Sequence, residues 1–161
     1  PTTLAAVLED IVESLLHHGI RKIVVLSAHG GNWILKPILR ELNFKHPELT
    51  VVWANGPLPE KGEAVPEDIH AGKTETSRLI HVRPDLARKT TQDDDSPGIV
   101  GQEFNDYVGF DKSTKRGAWG NPSLASPELG QKLMEEAVEH HAEYVRWALK
   151  RIEELKREGR K

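Results

Sequence analysis

The chain has 161 residues, 37% hydrophobic and 29% charged, the size and composition of one globular domain with a real core. Its 22 basic and 25 acidic residues leave a formal charge of -3 without a long basic block, which argues against nucleic acid as a partner. No run approaches the ~20 apolar residues that span a bilayer, no signal-peptide pattern opens the chain, and no cysteine is present, so the reading is a cytoplasmic protein without disulfides or thiolate metal sites.

In chain order, Leu4, Val7, Leu8, Ile11, Val12, Leu15 and Leu16 recur at helical spacing, which predicts a first helix stopped at Gly19. Lys22 to Ala28 (KIVVLSA) is the most hydrophobic run and reads as a buried parallel strand. His29-Gly30-Gly31-Asn32 follows at its carboxyl end, where open α/β sheets bind ligands. The two glycines free the backbone to bend and admit a neighbouring group, and Asn32 is placed either to cap the next helix or to support a ligand from behind. That helix is predicted from about Trp33 to Phe44, with Pro37 in its first turn or kinking it. Leu49 to Asn55 (LTVVWAN) reads as a second strand, and the alternation of helix and strand argues for a parallel sheet with right-handed crossovers.

Residues 56–72, rich in Pro, Gly and Glu, read as a long loop, of a length usually functional or disordered in compact domains. Thr74 to Val82 is a short helix ended by Pro84, residues 92–98 are a solvated loop, and Phe104 to Phe110 is a strand or irregular. Ser126 as cap and Pro127 at the first position start a long helix over 127–158. His17, His18, His140 and His141 read as solvated helix positions, and Asp68 and Lys73 as surface charges.

A second chemical cluster is Asp68-Ile69-His70-Ala71-Gly72-Lys73-Thr74-Glu75-Thr76-Ser77. Its histidine and glutamate lie five apart, a spacing that a loop-to-helix junction can bring to one side. Together with His29, His70 and Glu75 would offer nitrogen and oxygen ligands suited to Zn, Mn or Fe. An ion held there would polarise a carbonyl and activate a water for hydrolysis, with the Gly30 and Gly31 amides as oxyanion donors.

The blocks SAHGGN at 27–32, HAGKTETS at 70–77 and GAWGNPSLASPELG at 117–130 resemble, in order and spacing, three signatures of the creatininase family of metal-dependent amidohydrolases. The resemblance implies a single α/β domain over 1–161, a three-layer αβα sandwich with a mostly parallel sheet. It also implies a two-metal site at the strand ends, cleavage of a C–N bond in a cyclic amide or formamide, and a homo-oligomer, often a hexamer. By position, His29 and Glu75 would each ligate a metal and His70 would be the catalytic histidine, with Gly30, Gly31, Asn32 and Trp119 supporting the ligands or the substrate. Gly31 stands where creatininase itself has a metal-binding glutamate, which argues against creatinine as substrate.

The family's Glu-x-His pair and downstream Asp have no counterpart here. The chain therefore resembles the C-terminal portion of a creatininase-like enzyme, truncated at the N-terminus and completed by a complementing N-terminal chain or an oligomer. Two other readings stay open: a non-catalytic fragment or assembly subunit of the same fold, and a phosphate-binding α/β module using the Gly-Gly-Asn turn.

Overall fold

The computed structural model describes residues 2–54, 68–88, 107–112 and 114–159. The chain divides into two compact units, one from residues 1–61 with 139–161 and one from residues 62–138.

The first unit contains α1 (Thr2–His17), β1 (Lys22–Val25), α2 (Leu35–Lys45) and β2 (Thr50–Trp53). The strands pair in parallel, from Lys22 opposite Thr50 to Val25 opposite Trp53. Both are shorter than expected. The last rung runs from the Ala54 N–H to the Val25 carbonyl at 2.9 Å, and Leu26, next along, is exposed. On one face, Ile23 and Val51 pack with Leu49 against Val12 and Leu16 of α1 and Leu39 and Leu42 of α2. Val12 and Leu49 are completely buried, a contribution of roughly 1.5–3 kcal/mol each. Leu4, Val7 and Ile11 share the helical stripe but stay exposed.

The other face of β2 belongs to α4 (Pro127–Glu158), whose later turns lie in this unit. The Lys156 ammonium donates to the Leu49 carbonyl and the Thr50 hydroxyl, and Lys22 pairs with Glu153. His141, expected in solvent, is half-buried with Nδ1 3.2 Å from the Ala54 carbonyl, because α4 lies along the strand. Helix, sheet and helix thus form the three layers of the expected αβα arrangement. Asn43 closes the outer edge of β2: its amide donates to the Val51 carbonyl at 2.8 Å and its Oδ1 accepts the Val51 N–H at 3.0 Å. Pro37 sits at the third residue of α2, where no helical hydrogen bond is lost.

The second unit contains α3 (Lys73–Val82), two short 3-10 turns at Phe110–Lys112 and Pro122–Leu124, and the start of α4. Ser126 caps α4 as expected, its hydroxyl accepting the Leu129 N–H at 3.1 Å. The Ser126 N–H in turn donates to the Oγ of Ser77, a side chain fully buried on α3. Gly130 lets the helices approach this closely, since a Cβ there would overlap the Ser77 carbonyl. The expected loops and strand over 56–67, 92–98 and 104–106 lie outside the described residues; Tyr107 to Gly109 are irregular.

Candidate active site

Two clusters carry the sequence-predicted residues, one in each unit. In the first unit, His29 follows β1 in an extended conformation and caps a 3-10 turn, Gly30–Ile34. Its Nδ1 accepts the Gly31 N–H at 3.0 Å, so the neutral ring carries its proton on Nε2. Gly31 permits this fold-back: a Cβ there would already stand 3.0 Å from Nδ1. The Gly31 N–H is thereby used inside the turn and is not directed at a bound oxyanion.

Asn32 is not the cap of α2. The 3-10 turn intervenes between strand and helix, so α2 starts only at Leu35, and the Asn32 amide reaches back to the hydroxyl of buried Ser27 at 3.0 Å. The His29 N–H meets the same hydroxyl at 3.4 Å. Ser27 therefore ties the turn to the strand end, and the His29 ring stays exposed.

The second cluster is knitted from distant segments. His70 and Trp119 form an antiparallel bridge, with the Trp119 N–H donating to the His70 carbonyl at 2.7 Å and the His70 N–H to the Trp119 carbonyl at 3.2 Å. The imidazole stands edge-on to Phe110 at 5.0 Å and remains 45% exposed. Its Nδ1 lies 3.8 Å from the Glu75 Oε2, too long for a hydrogen bond. Glu75 instead accepts the Ala71 N–H at 2.6 Å, reaching back from the first turn of α3. Trp119 is 6% exposed, and its ring lies 6.4 Å from that of Phe110.

Asp68, expected on the surface, is the pin of this cluster. Its Oδ2 accepts the Thr74 N–H at 2.5 Å, capping α3 where Gly72 supplies no side chain. Its Oδ1 is buried without a hydrogen-bond partner, wedged where Gly72 and Gly120 meet. A Cβ on either glycine would collide with that oxygen, and Gly120 has a φ of 143°. The signal for this role is a carboxylate a few residues ahead of a helix start that has only glycine to cap it.

Chemically, the second cluster places an imidazole that can give or take a proton beside a carboxylate. His and Glu donors suit a divalent ion, but among the described residues no three His, Asp or Glu side chains group as a metal shell. The donor types fit Zn, Mn or Fe; their number falls short of a closed site.

The sequence pattern of the family described as creatinine amidohydrolase matches residues 1–145. No curated protein sequence matches the chain. Among solved structures, a protein of Bacteroides fragilis NCTC 9343 described as a candidate creatinine amidohydrolase is 32% identical with a TM-score of 0.67, covering 89% of this chain and 62% of its own. A glutamate-to-glutamine variant of creatininase of Zn–Zn type and a manganese form of creatininase are each 24% identical with TM-scores of 0.69. Each of these two covers 91% of this chain and 64% of its own, and at that identity they speak for the fold. The chain thus spans less than two thirds of the length of these relatives.

Proposed function

The chain belongs to the creatininase family, and from that membership we propose that it carries part of a hydrolase cleaving the C–N bond of a small cyclic amide or formamide. The observation that carries this reading is His70, held by Trp119 and Phe110 with its ring half exposed beside Glu75. In this role His70 gives a proton to the departing nitrogen, while the Trp119 bridge fixes the direction from which it does so. One solved relative is a creatininase variant complexed with creatine, which supports a small molecule as substrate class.

Glu75 and His29 are proposed as ligands of divalent Zn, Mn or Fe, two ions in the complete site, each residue on the geometry of its own unit. Further ligands would come from outside the described residues. A bound divalent ion supplies a polarised carbonyl and an activated water. Ligation by His29 through Nε2 displaces the proton there or turns the ring, so metal binding competes with the Gly31 hydrogen bond. Gly30 and Asn32 shape that turn, and Ser27 anchors it.

Elemental analysis of the purified chain beside His29→Ala and Glu75→Ala tests the metal assignment, with native mass testing the homo-oligomer that the resemblance implies. Near-stoichiometric metal in the wild type, lost in both variants, supports it; a metal-free wild type overturns it. In a metal-loaded active preparation, His70→Ala should retain metal and lose at least about 100-fold in kcat, the size of a general acid–base contribution.

A further inference from the structure

In the first unit, α2 buries one face and leaves an aromatic one in solvent. Leu35, Leu39 and Leu42 are buried, the last two in the core beneath α1. On the other side, Trp33, Pro37, Arg40 and Phe44 recur at i, i+4, i+7 and i+11, a spacing that sets them in one line along the helix. All four are exposed, Trp33 at 55% and Phe44 at 69%. Single exposed apolar residues are ordinary surface, but an apolar line opposite a face that already serves the core calls for a second contact. The line begins inside the 3-10 turn that His29 caps and runs to the end of α2.

Composition says what kind of contact. Trp, Phe and Arg are the side chains enriched at the centres of protein interfaces, where they supply large area at a low entropy cost or a planar cation. Arg40 already stands over the Phe44 ring, its guanidinium 5.6 Å from the ring centroid. The line is also its own complement. Trp33 and Phe44 lie equally far from the midpoint between residues 38 and 39, so a two-fold axis through that midpoint lays an identical helix antiparallel to the first. Trp33 of each copy then meets Phe44 of the other, with Arg40 of one copy between the two rings and Pro37 at the centre.

Area sets the strength of such a pair. The line is about 16 Å long at helical rise, and its two rings offer roughly 200–300 Å2 per copy from the usual area of aromatic side chains. With Pro37, Arg40 and the flanks of the helix the pair would bury on the order of 800–1,000 Å2 in total, the low end of specific interfaces, where association is weak and reversible. We infer that the outer face of α2, from Trp33 to Phe44, is a self-association surface that takes a second copy of this chain as an antiparallel helix pair. The inference stands apart from the hydrolase reading, although the contact adjoins the His29 turn through Trp33.

Sedimentation velocity of the full chain, over about 1–200 μM, tests this, because a weak dimer forms only as concentration rises. Wild type should pass from monomer to dimer across that range. Trp33→Asp and Phe44→Asp should each weaken association at least about tenfold, as loss of an interface anchor does, and keep the urea midpoint of wild type because both positions are exposed. Trp33→Phe, which keeps a ring for the guanidinium, should stay within about threefold of wild type. Register is tested by mixing Trp33→Lys with Phe44→Asp. An antiparallel pair then joins one Lys to one Asp and keeps one Trp–Phe contact, so the mixture should associate at least about tenfold more tightly than either variant alone. A mixture no tighter than its components overturns the antiparallel pair. A chain that is monomeric at every concentration leaves the line to a different protein and overturns the inference. So does a dimer that Trp33→Asp spares and Ile11→Asp, on the exposed flank of α1, abolishes.

Discussion

The turn after β1 and the junction before α3 both present a histidine beside glycines, but they are held by different physics. Short-range hydrogen bonds shape the His29 turn, among Ser27, Gly31, Asn32 and the backbone of His29 itself. The His70 junction depends on residues far along the chain, with Trp119 on its backbone, Gly120 against Asp68, and Ser126 bonded to Ser77 across 49 positions. A locally closed motif keeps its shape when its surroundings change; one closed by distant partners is only as firm as the packing that brings them together.

Glycine substitution should break this contrast most sharply. Gly120→Ala puts a Cβ against the Asp68 carboxylate in a backbone conformation that L side chains rarely adopt, and should cost about 2–4 kcal/mol. Gly30→Ala, with nothing within 4 Å of the new methyl, should stay within about 0.5 kcal/mol of wild type. Urea denaturation of both variants measures the difference, and equal losses would mean that the two motifs are held alike.

Removing one hydroxyl from each motif sharpens the comparison. Ser77→Ala deprives the Ser126 N–H of its acceptor inside the second unit and should cost about 1–3 kcal/mol, with loosening at the start of α4 visible in amide hydrogen exchange. Ser27→Ala frees the Asn32 amide, which is only half-buried, and should cost about 0.5–1.5 kcal/mol with exchange changes at residues 27–34.

The smallest effect is expected in acid. Hydrogen bonds from Lys45 and His46 hold the Glu13 carboxyl below its ordinary range. A carboxyl depressed in the folded state adds stability above the ordinary carboxylate pKa, and that stability fades as pH falls through the folded value. Glu13→Gln should therefore flatten the acid side of the first unit's stability profile while leaving neutral pH little changed, because the pair is solvent-screened.

Much of the framework was legible in the chain itself. The hydrophobic runs at 22–28 and 49–55, within which the shorter β1 and β2 form, the helical pattern of α1 and α2, and the Ser126–Pro127 start of α4 need only period and propensity, and three ordered glycine-rich blocks carried the family. Asp68 was not legible, because a lone acid in a loop looks like surface charge until Gly72 and Gly120 are seen to close over it. His141 was missed for the same reason: helix position says nothing of which strand end the helix will cover.

Sequence by itself determined which segments form strands and helices and which family the chain belongs to, since these follow from side-chain periodicity and short spaced blocks. Tertiary structure alone decided that Asp68 is a cap rather than a surface charge and that His141 meets the Ala54 carbonyl rather than solvent. Each of those outcomes depends on which atom takes a buried or shared hydrogen-bonding position, and that competition is resolved only when distant segments pack.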